Sequence, residues 1–375
     1  MNIRVQPFTT PWIQPVKDFN RRLQNAGLDH DLQFPETPAP EFPPQPDRLF
    51  FQEYYLATEE SPNAVRGTFW LTFEPWRFDG KLLSVSHYRL PISEGIANPA
   101  YRSVAKDLML AALARQPYLY CLGMGGFDRP VTKSLKKQGW HMDAVPFFFH
   151  VEKPARFLQE MPALRSSPLR RTAALAAAVS GAGWAGIRAA QALRGRRAPS
   201  TANLTTHVFT QFAEWTTRLW DTASPHYRFL AQRDAETLNL RYSAKALQRC
   251  LRLAVEHKGT PIGWATVLDT QMENNKYFGN LRVGSIVDAF AHPGDASSVI
   301  AAAHRFLAGR GVDLVVANFS HRAWQDACLA SGFWETSSNY VFAVSVPLGE
   351  IYSPAGAALH AAHLTRADGP GPTRL

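Results

Sequence analysis

Two carboxylates occupy positions where a carboxylate can do chemistry. Glu94 lies on a predicted loop beside Gly95, just after a predicted strand, where its side chain can face a cleft. Asp288 interrupts the apolar stretch 286–290, where burial of a carboxylate is costly unless it is paired or functional. Each could serve as a general base, and the sequence equally allows a paired, structural Asp288.

The segment 233–242 concentrates polar side chains on one short predicted helix. These side chains are Arg233, Asp234, Asn239, Arg241 and Tyr242. They could bind a polar substrate in a cleft between two halves of the protein. Alternatively, Arg233, Asp234 and Arg241 form an ion-pair cluster at a surface or between domains.

The composition predicts a folded protein with two domains. The chain has 375 residues, of which 46% are apolar and 19% are charged, values that exclude a disordered or collagen-like chain. Residues 1–15 contain no apolar run of the kind found in a signal peptide, so we expect a cytoplasmic protein. The three cysteines form no Cys-x-x-Cys pair, and we expect free thiols and no metal.

Positive charge is concentrated in one segment. The formal net charge is +9, and the segment 155–200 holds eight arginines against one glutamate. The rest of the chain is nearly neutral. Nucleic-acid binding is not expected, because no basic face with aromatic or glycine-rich elements that could contact bases is evident. Residues 172–187 are uncharged, too few to span a bilayer. This linker could instead bridge the domains or lie on an anionic membrane.

The chain contains two sets of predicted elements in the same order, β-β-β-α-β-α-β, each preceded by helical stretches. The first set has strands at 49–58, 66–73 and 82–90, a helix at 101–115, a strand at 118–124, a helix at 130–138 and a strand at 145–151. The second has strands at 249–257, 262–268 and 282–290, a helix at 296–307, a strand at 314–317, a helix at 322–330 and a strand at 340–346. Gly67 and Gly263 are aligned by this repeat, as are Pro99 and Pro293, which favours a duplicated domain.

This order resembles the GNAT acyltransferase superfamily, because both predicted second helices end in Gly-aromatic, Gly139-Trp140 and Gly332-Phe333. Segments 93–102, 145–149, 233–242 and 363–369 resemble GNAT-type proteins of bacterial exopolysaccharide clusters, and the tandem arrangement is similar to FemAB-like peptidyltransferases. The resemblance implies an α/β (α+β) protein with two GNAT-like domains, each a mixed central sheet flanked by helices. We expect domains at 1–154 and 203–350, an Arg/Ala-rich helical linker at 155–202 and a tail at 351–375.

The resemblance also implies acetyl-CoA or another acyl-CoA as co-substrate, held where the first helix of a repeat begins. Unpaired N–H groups of a helix N-terminus bind pyrophosphate. The corresponding residues are Ser93, Gly95, Arg102, Ser103, Val104 and Ala105. The family's glycine-rich loop is altered here, because Ala105 and Asp107 replace its small residues.

The family's proton donor is usually a Tyr four residues before the Gly-aromatic ending. Leu135 and Cys328 hold those positions, which leaves Cys328 as a weak candidate acid beside the bases Glu94 and Asp288.

The resemblance favours acyl transfer to an amino group of a sugar or polysaccharide precursor. A non-catalytic GNAT-like scaffold is the second hypothesis, and a FemAB-like aminoacyl transferase is the third.

Overall fold

A computed structural model describes residues 3–28, 33–61, 63–165, 167, 172, 176–178, 180–195, 203–242, 250–352 and 358–370. The strands are β1 (Ile3–Pro7), β2 (Phe51–Glu59), β3 (Ala64–Phe78), β4 (Lys81–Ser93), β5 (Leu119–Leu122), β6 (His141–Ala144), β7 (Phe147–Val151), β8 (Leu204–Phe209), β9 (Phe229–Ala231), β10 (Cys250–His257), β11 (Thr260–Gln271), β12 (Arg282–Ala291), β13 (Leu314–Asn318), β14 (Trp334–Thr336), β15 (Val341–Val344) and β16 (Ala362–His363).

The helices of these residues, apart from short 3-10 turns, are α1 (Ile13–Asn25), α2 (Val104–Arg115), α3 (Pro130–Lys137), α4 (Pro154–Glu160), α5 (Ala182–Arg194), α6 (Glu214–Ala223), α7 (Ala235–Arg241), α8 (Ala296–Gly309), α9 (Arg322–Ala330), α10 (Val346–Tyr352) and α11 (Ala358–Ala361). The chain divides into two units. The first comprises Met1–Trp76, Leu82–Asp143 and Val341–Gly356, and the second comprises Arg77–Lys81, Ala144–Tyr340 and Ala357–Leu375.

The first unit is built on a sheet in the order β1-β2-β3-β4-β5-β15-β6. Strands β1, β2 and β3 pair antiparallel, whereas β4 and β5 pair parallel. The turn between β3 and β4 consists of Asp79 and Gly80, both with positive φ, as a tight two-residue hairpin requires. Helix α1 buries Val16, Phe19 and Leu23 along one face.

The second unit has a sheet in the order β14-β7-β13-β12-β11-β10-β8. Strands β12 and β13 are its parallel pair, and the other neighbours are antiparallel. All five residues of β13 are buried, which explains its continuous apolar sequence. The two sheets with flanking helices confirm the predicted mixed α/β fold.

Strands β7 and β15 each pair into a sheet that is formed mainly by strands from the other half of the sequence. Strand β7 follows β6 along the chain, yet it pairs with β13 and β14 in the second sheet. Strand β15 pairs with β5 in the first sheet. The expected continuous domains 1–154 and 203–350 differ from the units at these strands. Both strands are short and apolar, so their sequences fit a buried position in either sheet.

A glycine allows a helix to approach the sheet closely in each unit. A Cβ atom on Gly67 would lie 2.8 Å from Leu108 and 2.9 Å from Val104 of helix α2. A Cβ atom on Gly263 would lie 2.5 Å from Val299 of helix α8 and 2.8 Å from Ala291. These are the two glycines aligned by the repeat, and the contacts supply the physical reason for glycine at both.

The described part of the basic linker includes helices α4 and α5. Gln191 is the buried residue of α5, whereas Trp184 and Leu193 are exposed. Contact of this helix with a membrane remains a prediction. Within the described ranges, no helix is long and apolar enough to cross a membrane.

We expect Gly263→Ala to lower the free energy of unfolding by about 1–3 kcal/mol, because the added methyl group overpacks the contact with Val299. Chemical denaturation measures this change. Gly309→Ala is the matched control, since a Cβ atom there meets nothing within 4 Å. Equal stabilities of the two variants would contradict the packing argument.

Candidate functional site

The parallel strands of the first unit separate soon after they pair. Strands β4 and β5 pair at Ser86–Leu119 and His87–Tyr120, and β4 continues to Ser93. We call the space between residues 88–93 and 123–126 the first opening. Parted carboxyl ends of parallel strands form the crevice in which open α/β sheets bind ligands.

Both rims of the first opening have unusual backbone conformations. Leu90 adopts a left-handed conformation with φ of 42° inside a strand, a strain of the kind that accumulates at functional sites. On the other rim, Gly123, Gly125 and Gly126 have φ of 81°, 82° and 117°. Glycine adopts such angles without the strain that a residue with a side chain incurs, and it leaves the main chain uncovered by a Cβ atom. These three glycines and Leu90 are half-buried.

Ser93 and Gly95 shape the loop between β4 and α2. The Ser93 hydroxyl accepts a hydrogen bond from the Gly95 N–H at 3.1 Å and donates one to the Tyr101 carbonyl at 3.1 Å. A Cβ atom on Gly95 would lie 2.7 Å from that carbonyl oxygen. Both residues therefore fold the loop tightly, and Ser93 is buried. Their predicted contact with a cofactor remains a prediction.

The remaining predicted cofactor residues lie at the start of helix α2. Arg102, Ser103 and Ala105 are exposed, whereas Val104 is buried in the core. Lys106 is also exposed and adds a second positive charge to this first turn, and Asp107 is half-buried. The helix N-terminus and its two cations attract an anion, so the arrangement suits a phosphate group.

Glu94 does not face a cleft as a free base. It is buried and accepts two hydrogen bonds from Arg22, each at 3.0 Å. The Arg66 guanidinium group donates to its two oxygens at 3.1 and 3.2 Å. Arg66 also binds Glu59 at 2.8 Å. Both oxygens of the Glu94 carboxylate are therefore engaged by guanidinium groups, and the expected free base at this position is not present.

The corresponding place in the second unit is filled by the C-terminal part of the chain. Strands β12 and β13 pair from Val283–Leu314 to Ile286–Ala317 and then separate. We call the space between residues 287–291 and 318–320 the second opening. The Ser320 N–H donates to the Leu364 carbonyl at 3.2 Å, and the Leu364 N–H donates to the Ser320 hydroxyl at 2.7 Å.

Side chains also donate hydrogen bonds to carbonyl groups of β12 at the second opening. His363 Nε2 donates to the Ala289 carbonyl at 2.8 Å, and the Tyr227 hydroxyl donates to the Ala291 carbonyl at 2.8 Å. His363 and Leu364 are fully buried. Residues 362–369, which belong to the C-terminal tail predicted at 351–375, are therefore largely buried in the second unit.

Four of the predicted site residues meet in one buried network in the second unit. Arg233 donates to Asp288 at 3.2 Å and to Asp368 at 2.7 Å. Arg241 donates to Asp368 at 2.7 Å, and the Tyr242 hydroxyl donates to Asp288 at 3.1 Å. Two arginines balance two aspartates, so Arg233 and Arg241 form ion pairs as the alternative predicted. The network differs from that alternative because it is buried and does not include Asp234.

Thr365 completes this network from the C-terminal segment. Its hydroxyl donates to Asp288 at 2.9 Å, and its backbone N–H donates to Asp368 at 2.9 Å. Burial by itself would raise the pKa of Asp368, but the charges of Arg233 and Arg241 lower it. Burial raises the pKa of Asp288, against the charge of Arg233. With no exposed surface, Asp288 does not meet the geometry of a base that contacts substrate.

Asp234 and Asn239 lie outside the network and have local structural contacts. Asp234 begins helix α7, and its carboxylate accepts a hydrogen bond from the Thr237 N–H at 2.8 Å. The Asn239 amide binds both the N–H and the carbonyl of Phe212, at 3.0 and 2.8 Å. The predicted contacts of Asp234 and Asn239 with a substrate remain predictions. The hydrogen bonds to the main chain do not favour them, because they engage the polar atoms that a substrate would contact.

Cys328 lies on helix α9 and is fully buried in the core of the second unit. Burial raises the pKa of its thiol far above the ordinary value. A buried thiol cannot reach a leaving group, so the structure does not support Cys328 as the acid.

The partners of the candidate residues were not predicted from the sequence. Arg22 and Arg66 hold Glu94, and Thr365 and Asp368 hold Asp288 and Arg233. One local signal was readable: Thr365 and Asp368 have capping-box spacing, and they form that box in the structure. The glycines at 123, 125 and 126 were a second signal, since such a cluster after a strand indicates special backbone angles.

The comparisons with known proteins identify the fold. Neither a protein-family model nor a curated protein matches the chain. A probable N-acyltransferase of Enterococcus faecalis has a similar structure, with a TM-score of 0.51 and 12% identity over 94% of this chain and 74% of that chain. A GCN5-related N-acetyltransferase of Anabaena variabilis gives 0.51 and 9% identity, over 91% and 72%.

An N-myristoyltransferase of Saccharomyces cerevisiae with bound myristoyl-CoA gives a TM-score of 0.50 and 8% identity, over 92% of this chain and 82% of that chain. The chain therefore has the two-domain fold found in GNAT-type N-acetyltransferases and in N-myristoyltransferases. This confirms the GNAT-like fold that the resemblance implies, and the exopolysaccharide and FemAB parts remain predictions.

We expect Arg233→Met to lower the free energy of unfolding by about 3–5 kcal/mol, because it leaves two buried carboxylates without their shared cation. Urea denaturation followed by circular dichroism measures the loss. Arg228→Met is the control, since Arg228 pairs with Asp79 at a partly exposed position and should cost less than about 1 kcal/mol. Similar losses would show that the network is not specially stabilising.

We expect stability to fall as pH is lowered below about 6.5, partly through His363. Burial lowers the pKa of His363 well below its ordinary value, and Arg233 and His321 act in the same direction, against Asp368. Below pH 6.5, His363 is therefore protonated in the unfolded chain but not in the folded protein. This difference lowers the free energy of unfolding by up to about 1.4 kcal/mol for each pH unit.

The comparison is between the wild type and His363→Gln, whose amide can still donate to Ala289. Free energies of unfolding measured between pH 7.5 and 5.5 should fall less steeply for the variant. Part of the slope should remain, because burial also lowers the pKa of His321 to about 4. The Tyr227 ring, 5.0 Å from the His363 ring, does not titrate in this range. Identical slopes would exclude His363 as the titrating group.

Proposed function

We propose that this protein is an acyl-CoA-dependent N-acyltransferase that binds acyl-CoA at the first opening. The contrast between the two openings carries this placement. At the second opening, His363 and Tyr227 donate hydrogen bonds to carbonyl groups of β12, which are therefore not available to a ligand. At the first, the Tyr88 carbonyl accepts a hydrogen bond from the Cys121 thiol at 3.2 Å. Beyond Tyr88, the glycine rim and Leu90 are half-buried, and Ala105 and Lys106 in the first turn of α2 are exposed.

The chemistry of the first opening matches the parts of coenzyme A. Arg102 and Lys106 place two cations at the N-terminus of α2, which suits the phosphate groups. The amide groups of a pantetheine arm can pair with main chain where β4 has lost its neighbour β5. The glycines at 123, 125 and 126 allow a close approach of the ligand to the backbone.

The identities of the acyl group and of its acceptor are proposed from the resemblance and from the structural neighbours. We favour acetyl-CoA and an amino group on a sugar or polysaccharide precursor, as the resemblance to proteins of exopolysaccharide clusters implies. The yeast neighbour is bound to myristoyl-CoA, so a longer acyl chain is the natural second ligand to test. A cytoplasmic location and a peripheral membrane contact through the linker belong to the same proposal.

A non-catalytic scaffold is the second candidate, and one observation favours it. The three residues expected to handle protons are all engaged or buried: Glu94 by two arginines, Asp288 by the network, and Cys328 in the core. Acyl transfer to an amine needs a group that removes the ammonium proton. Binding of acyl-CoA without turnover across a panel of amines would support the scaffold.

We expect the protein to bind acetyl-CoA or a longer acyl-CoA with one site per chain, and Arg102→Ala to weaken binding about 5- to 10-fold by removing a phosphate contact. Isothermal titration calorimetry measures both. Lys17→Ala is the control, because it removes an exposed charge from helix α1 and should leave the dissociation constant unchanged.

An Arg102→Ala variant with wild-type affinity would overturn the placement at the first opening. No binding of any acyl-CoA by the wild type would overturn the proposed activity as a whole.

A further inference from the structure

Three metal-ligating side chains converge in the second unit, among residues that the proposed acyl transfer does not use. His150 lies on β7, Glu152 follows it directly after the strand, and His304 lies on helix α8. Because residues two apart in an extended chain share a face, His150 and Glu152 point the same way. Helix α8 brings His304 to that face.

The ligand atoms of these side chains lie close together. Glu152 Oε1 is 2.5 Å from His150 Nδ1 and 2.6 Å from His304 Nε2. All three ligand atoms lie within 4.8 Å of one another, and the centroids of the two imidazole rings are 4.2 Å apart. Bonds of about 2.0–2.2 Å to a tetrahedral zinc ion separate ligand atoms by about 3.3 Å. The Glu152 oxygen would therefore have to move by about 1 Å from both imidazoles to reach the spacing of a zinc site.

The surroundings hold this group in place. The Gln191 amide, oriented by its hydrogen-bond partners, binds the N–H and the carbonyl of Val151 at 3.0 and 3.1 Å and also contacts the His150 ring. Arg188 donates to the Glu152 backbone carbonyl at 2.5 Å. Helix α5 therefore fixes the main chain that carries two of the three ligands. A site supported by buried hydrogen bonds of this kind is preorganised.

We propose that His150, Glu152 and His304 form a binding site for a divalent transition-metal ion, with zinc as the most suitable ion. Two imidazoles and one carboxylate are a ligand set found in zinc sites that keep a fourth position open. The His304 and Glu152 side chains keep 19% and 12% of their surface exposed, so water can reach that position. The proposal does not depend on acyl-CoA binding.

The site links elements that are far apart in the sequence. His150 lies on a strand contributed by the first half of the chain, with Glu152 directly after it, and His304 belongs to a helix of the second half. A bound ion would join this strand to α8 within the second unit. We therefore expect zinc to raise the melting temperature of the protein and a chelator to lower it again.

The experiment uses the full chain, stripped with a chelator and then titrated with zinc chloride alone. Zinc bound per chain is measured by mass spectrometry of the metal, affinity by competition with a chromophoric chelator, and stability by thermal melting. We expect about one zinc ion per chain with at least micromolar affinity. Cobalt should give the visible absorption bands of a four-coordinate ion.

His304→Gln is the decisive variant. Its amide can still donate a hydrogen bond to Glu152, but it is a poor zinc ligand. We expect a loss of zinc affinity of at least 10-fold, with an unchanged melting temperature in the absence of metal. His207→Gln is the control, because His207 faces Glu256 at 3.8 Å at an exposed pair in the same unit and should leave zinc binding unchanged.

Two results would overturn the proposal. If the stripped wild type binds no zinc below about millimolar concentration, the three residues form a hydrogen-bonded triad only. If His304→Gln binds zinc as tightly as the wild type, the ion is held elsewhere. Glu152→Gln provides a second test should the first variant fail to fold.

Discussion

The buried pairing of Arg233 with Asp288 and Asp368 is the constraint on which the second unit depends. Arg233 has no exposed surface, so its charge requires both carboxylates, and one of them comes from the C-terminal segment. The network therefore fixes residues 362–368 against β12. Once they are fixed there, His363 fills the second opening, and a ligand cannot pair with β12 at the same place.

The order of elements could be predicted from the sequence because it depends on local patterns. Helical spacing and apolar strands are each visible within a few residues. The turn between β10 and β11 is also local, and its two residues, Lys258 and Gly259, both have positive φ. The exchange of β7 and β15 could not be predicted in this way. Which sheet receives a short apolar strand depends on packing between residues more than a hundred positions apart, such as Phe149 and Val316.

The candidate site shows the same division between local and distant information. Candidate site residues could be recognised in the sequence, and the structure brings four of them together: Arg233, Arg241, Tyr242 and Asp288. The sequence did not reveal their role, because Thr365 and Asp368 lie more than a hundred residues from Arg233. Glu94 was likewise recognised without Arg22, 72 residues away. Charged residues are visible in a sequence, whereas the neutralisation of their charge is a tertiary property.

The two units reuse one packing solution and then diverge. Gly67 and Gly263 both let the following helix approach the sheet, so the helix start is held near the parted strands in each. Beyond that point, the second unit gains hydrogen bonds by closing its opening with its own chain. The first unit instead keeps a strained Leu90 and a run of glycines with positive φ. Backbone strain persists only where the surrounding structure maintains it, and it accumulates at functional sites. This difference in backbone, more than any single side chain, supports our proposal that the first unit binds the ligand.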